Sequence, residues 1–165
     1  MKKYEFTGET KEIRLLFRTA TLHRIRATVA FGIVEVGDLG GWIEKEENLS
    51  HEGKAWVCGD AKVWGNAEVW GNAEVCGDAK VFSASHVLVI GAIGSRNDFT
   101  TFYRDKDNEI TVKCGCFLGK IDRFLEKVTQ THGDSKYALV YRAAVEVAKL
   151  QIDLSGEAPK DADEE

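Results

Sequence analysis

Residues Ala55–Ala84 read AWVCGD AKVWGN AEVWGN AEVCGD AKVFSA, five six-residue units in a row. Each unit opens on Ala and carries Val at its third position. Gly followed by Asp or Asn closes the first four. A period of six suits neither a helix, at 3.6, nor a flat strand, at 2, unless the strand turns a corner every six residues. Such a chain winds into a three-sided coil of about 18 residues per turn, with turns stacked about 4.8 Å apart. Val57, Val63, Val69, Val75, Val81 and Val87 then point inward. Ala61, Ala67, Ala73, Ala79 and Ser85 occupy tight inner corners, and Gly59, Gly65, Gly71 and Gly77 supply the turns. The pattern extends backwards through LSHEGK (49–54) and IVEVGDLGGWIEKEEN (33–48), where Gly37, Gly40 and Gly41 read as corners. About three coils over residues 32–92 follow, with the strand-like residues 1–28 as a cap on the first.

The repeated V-x-G-[DN]-A-[KE] resembles the motif of the left-handed parallel β-helix, or hexapeptide-repeat, proteins. GDLGGWIEKEENLSHEG, with the later GSRND, CGCF and THGDSKY, is similar to small phage and prophage proteins of that class. The resemblance implies a mainly β fold: a left-handed parallel β-helix of about three coils, then a small α+β module of a hairpin and two helices. Domain boundaries are expected at 1–94, 95–154 and an acidic tail at 155–165.

In such a prism the residue after each inward Val faces out. Cys58 then lies over Cys76, Trp64 over Phe82, and Trp70 over Leu88. So much apolar exterior needs a cover. Either the chain's own termini lie on it, or it forms an oligomer interface, with a homotrimer favoured because trimers are common in the resembled family. Cys58 and Cys76 are expected as reduced, apolar interface residues, as orientation opposes a disulfide between in-register neighbours.

Past GAIGSRND (91–98) the period changes. FTTFYR (99–104) and ITVKCGCF (110–117) alternate as strands joined by DKDNE (105–109). The turn resembles the start of a calcium loop, but Ile110 stands where Gly is required, which excludes one. GKIDRFLEKVTQTHG reads as a helix with Ile121, Phe124, Leu125 and Val128 as its apolar stripe and Gly133 as its stop. A second helix, capped by Asp134 or Ser135, buries Tyr137, Val140, Tyr141, Ala144, Val145, Ala148 and Ile152. Net charge is −5, and SGEAPKDADEE (155–165), with five acids and Lys160, accounts for −4 of it. That end is expected to be disordered, and the remaining −1 is no basic footprint for DNA. The N-terminus has no apolar leader and no run is long enough to span a membrane, so the expected location is the cytoplasm, a host's if phage-encoded.

Catalytic motifs are sparse. Enzymes of the resembled family transfer acyl groups from acyl-coenzyme A with a histidine base, which makes His51 and His86 the candidates here. Its carbonic anhydrases need three zinc-ligating histidines, and the repeat has two. Cys114-Gly115-Cys116 places two thiols on one strand face, half of a metal site at most, with His132 as the nearest third ligand. No cofactor is expected. The polar turn Ser95, Arg96, Asn97 and Asp98 sits where the repeat gives way to the second module, and Arg96 can grip a phosphate or carboxylate with two N–H groups. Thr131, His132 and Gly133, just before a helix start, complete a candidate anion site. The alternative is purely structural: Asp98 caps a turn and pairs with Arg96. The expected function is binding without catalysis, the resemblance pointing to a phage antagonist of host defence that sequesters a nucleotide signal or caps a host protein. An acyltransferase and a scaffold module are the alternatives.

Overall fold

The computed structural model describes residues 1–157 and 159–161. The chain is mainly β with two C-terminal helices. It opens on a long antiparallel hairpin of β1 (Tyr4–Arg14) and β2 (Thr19–Ala27), which a turn closes where Leu15 N donates to Arg18 O at 2.8 Å. Beside β2 runs β3 (Leu39–Ile43), antiparallel to it. Next come four two-residue strands, β4 (Trp56–Val57), β5 (Lys62–Val63), β6 (Glu74–Val75) and β7 (Lys80–Val81). One five-stranded mixed sheet has the order β1-β2-β3-β5-β7, and β4 and β6 form a small parallel pair. The remaining strands β8 (Val87–Ile93), β9 (Asp98–Arg104), β10 (Ile110–Cys114) and β11 (Phe117–Lys120) make an antiparallel sheet in the order β11-β10-β9-β8. Helices α1 (Ile121–His132) and α2 (Lys136–Gln151) pack on that sheet.

These sheets correct the hexapeptide-repeat identification. A three-coil parallel β-helix over 32–92 would hold its strands in continuous parallel ladders. Here the parallel ladders are two residues long, at Trp42↔Lys62, Trp56↔Glu74 and Lys62↔Lys80 and the residues that follow them. The long pairings are antiparallel. The Gly-Asx turns, whose glycines take φ of 63–69°, end each short strand almost as soon as it starts. Beyond the last repeat unit the stack does not run on to residue 92, because β8, from Val87, leaves to join the antiparallel sheet. Gly40 and Gly41 are also not corners. They lie buried within β3, where an added Cβ would sit 2.7 Å from Val57 O and 2.6 Å from Ala61 O respectively.

Val57, Val63, Val69, Val75 and Val81 lie in one core with Ala61, Ala67, Ala73 and Ala79. Strand β9 joins this core to the helical one by alternation. Tyr103 faces the repeat, its hydroxyl donating to Cys76 O at 2.8 Å, while Phe102 faces the helices and meets Phe124 edge-on. A third cluster gathers Ile13 and Leu22 of the hairpin over Trp42 and Trp64.

The acidic end, expected to be disordered, is held at several of its described residues. Asp153 N donates to Ser85 O at 3.0 Å, and the buried Arg104 donates to the carbonyls of Ser155 and Gly156. Asp161 is buried 3.3 Å from Lys62 Nζ, and pairs as an isolated bridge with Ile13. Ala158 and residues 162–165, on which the expectation of disorder also fell, lie outside the described residues.

Candidate functional site

A cavity of about 220 Å³ opens between the antiparallel sheet and the helices. The turn between β8 and β9 forms one wall. Gly94 takes φ 79° there and Asn97 φ 49°, and Asn97 N donates to Gly94 O at 3.2 Å. That tight turn puts Ser95, Arg96 and Asp98 on the cavity. The opposite wall is the last turns of α1, which bring Lys127, Val128, Thr131 and His132. The floor is aromatic. Phe117, Phe124 and Tyr141 pack in sequence, with centroids 5.4 Å and 5.7 Å apart, and the His132 ring lies over Tyr141 at 5.7 Å.

Tyr141 joins the two walls. Its pKa is pushed up to about 12 by burial and then by the neighbouring Cys114. The phenol is therefore neutral and a donor at ordinary pH. A Cβ at Gly94 would lie 1.9 Å from that hydroxyl, so the turn can approach α2 only with glycine there. Arg96 and Lys127 are exposed, and with His132 they set three basic groups around an apolar floor.

Of the residues expected at an anion site, Ser95, Arg96, Asp98, Thr131 and His132 share this cavity. Asn97 and Gly133 shape the ends of its walls but are not on its lining. Thr131 and His132 reach it from the C-terminal turn of α1, not from the start of α2. Asp98 Oδ1 also accepts from the N–H of the next residue in β9, Phe99, at 2.7 Å. Of the floor and rim residues, Phe117 was legible only as the end of a strand, and Phe124, Tyr141 and Lys127 only as parts of helices, because nothing local in the sequence says that β11 folds back beneath α1.

The two thiols of the CGC stretch do not share a strand face. Gly115, at φ 57°, breaks the strand, leaving Cys114 on β10 and Cys116 exposed in the turn. Among the described residues no group of three or more His, Cys, Asp or Glu is placed to hold a metal ion. Cys58 and Cys76, expected reduced, are joined as a disulfide with their Cα atoms 4.5 Å apart. The 18-residue register sets β4 directly beside β6 and brings the two side chains together.

The outward aromatic residues are placed unequally. Trp64 is 2% exposed and stacks on Phe82 at 4.9 Å, under the chain's own hairpin. Leu88 packs into the helical core, and Trp70 remains 66% exposed.

In both candidate bases Nδ1 is already engaged. His86 Nδ1 accepts from Phe82 N at 3.2 Å and His51 Nδ1 from Lys3 N at 3.0 Å, and neither ring lines this cavity. Burial holds both imidazoles below the usual histidine range, His86 further by the Arg104 charge beside it. The carboxylates of the 105–109 turn gather round Lys120, which pairs with Asp105 at 3.0 Å and Asp107 at 2.8 Å.

Compared with known proteins, the chain matches no family model and no curated protein. No helix among the described residues is long and apolar enough to cross a membrane.

Proposed function

We propose that this protein acts by binding, and that its ligand is a small anion carrying a planar ring, of which a nucleotide is the natural class. One arrangement supports the reading: an aromatic floor of Phe117, Phe124 and Tyr141 ringed by Arg96, Lys127 and His132. A planar ring gains stacking and apolar contact on such a floor, while a phosphate or carboxylate gains charge-assisted hydrogen bonds from the rim. At about 220 Å³ the cavity is smaller than the roughly 300–1,000 Å³ typical of sites for drug-sized ligands. It suits a base and one phosphate, not the length of an acyl-coenzyme A. Ser95 and Thr131 add hydroxyls at the rim, and Asp98 disfavours a ligand with charge all round.

A thermal-shift screen with linear and cyclic nucleotides, cyclic dinucleotides, ADP-ribose derivatives and acetyl-coenzyme A tests the reading. A ligand at 100 times its Kd adds about 2.7 kcal/mol to folding stability, a readily visible shift. At least one nucleotide-class compound is expected to stabilise the protein, and Arg96→Ala to weaken it by about tenfold or more without changing the unliganded melting temperature. A flat panel, or equal affinity in Arg96→Ala and Lys127→Ala, would overturn the assignment.

A further inference from the structure

Of the four tryptophans, Trp42, Trp56 and Trp64 are each 5% exposed or less, while Trp70 is 66% exposed. The hairpin covers Trp64, and among the described residues no ring or cation lies against the Trp70 indole. Trp70 stands on a groove of about 500 Å³, within the roughly 300–1,000 Å³ typical of small-ligand sites. Ala67 and Val69, each 1% exposed, belong to the valine core. Glu68 and Trp70 therefore point outward by alternation, and Asn66, in the turn before them, is exposed as well. A strand rises about 3.3 Å per residue, which sets Glu68 and Trp70 about 6.6 Å apart along this wall. Val87 and Val89 of β8, half-buried, add apolar lining.

The groove thus presents a free indole face, a carboxylate and a primary amide side by side. Among the described residues the side chains of Asn66 and Glu68 hold no hydrogen bond or ion pair within the chain. No Lys or Arg lines the groove and Glu68 is its single charge, so an anion such as a nucleotide is repelled. A wholly apolar guest would cover the Glu68 carboxylate and the Asn66 amide without giving them partners, which is costly. A ligand with a flat patch of C–H groups edged by hydroxyls meets every requirement. The patch lies on the indole, one hydroxyl donates to Glu68, and the Asn66 amide both donates to and accepts from its neighbours. Those are the features of a sugar ring. We propose that this groove binds a neutral saccharide through Trp70, Glu68 and Asn66. It shares no lining residue with the cavity of Arg96 and His132, so the two sites are independent.

Titration of the isotope-labelled full chain with maltose, cellobiose, lactose, mannobiose and diacetylchitobiose tests the site, read from the Trp70 indole N–H and the amides of residues 66–70 and 84–89. At least one disaccharide is expected to shift those signals saturably at millimolar concentration. Trp70→Ala is expected to weaken that binding about tenfold, the loss of one aromatic contact, and Glu68→Gln to weaken it severalfold. Both positions are exposed, so both variants are expected to keep the wild-type melting temperature. Arg96→Ala is expected to bind the sugar as the wild type does. No shift with any of the sugars, a Trp70→Ala protein that binds undiminished, or shifts produced by choline chloride and not by the sugars, the mark of a cation on the indole, would each overturn the proposal.

Discussion

Tyr141 belongs to the core by its ring and to the cavity by its hydroxyl, and the two roles depend on a glycine 47 residues away in the chain. Gly94 at φ 79° turns β8 toward β9 and leaves the space that the phenol fills. His86 is held in a comparable way. Its Nδ1 accepts the Phe82 N–H, its ring meets Phe82 edge-on, and the Arg104 guanidinium lies 3.4 Å from Nε2. Burial and then Arg104 favour the neutral ring, with Asp153 opposing. The folded pKa is thus lower than the unfolded one, so the unfolded chain takes up a proton that the folded chain refuses. Stability is full above the unfolded value of about 6.5 and falls as the pH drops below it toward the folded value. His51, lowered by burial, acts in the same direction. The urea midpoint is expected to fall between about pH 7.5 and about pH 5.5, a window above the usual carboxylate range. His86→Gln should shrink that fall. A midpoint independent of pH in this window would contradict the account of His86.

Among the elements, the short parallel strands are held by what surrounds them. A two-residue ladder makes few hydrogen bonds, so β4 and β6 depend on the valine core, on the Tyr103 bond to Cys76, and on the Cys58–Cys76 link. Closing an 18-residue loop stabilises a domain by roughly 3 kcal/mol. Reduction, or Cys58→Ser, is expected to lower unfolding stability by about that amount, read from the urea midpoint with and without a reductant. An unchanged midpoint would show that the link adds nothing. The elements also divide by how much of them could be read in the chain. The valines and alanines of the repeat point inward as their spacing requires, and α1 starts and stops where its stripe and Gly133 indicate. What the period could not convey is how far each strand runs and what lies over it. Trp64 and Phe82 spaced 18 apart look the same whether a hairpin or another chain covers them. In CGCF the alternation hid a turn, since Gly115 can continue a strand or reverse it. For the site, the polar turn 95–98 was visible as an interruption, but its aromatic floor was not. Phe117, Phe124 and Tyr141 meet only through tertiary packing.

Across the whole molecule, β9 is the seam. One of its faces closes the valine core and the other floors the helical unit, so the cavity wall at 95–98 is fixed to both. The C-terminal segment ties the unit a second time, running from α2 past Ser85 and Arg104 to Asp161 between Lys62 and Lys80. Such bracing holds Arg96 and His132 on facing walls before any ligand arrives, which lowers the cost of ordering them on binding. The central claim is that a nucleotide-class anion occupies the space between those walls. Amide chemical-shift mapping on the isotope-labelled full chain, titrated with the most stabilising nucleotide of the panel, tests it most directly. The account predicts shifts concentrated at residues 94–98, 114–117 and 127–133 and at Tyr141, and lost in Arg96→Ala. Shifts centred elsewhere, such as around the exposed Trp70, or no shifts at all, would contradict it.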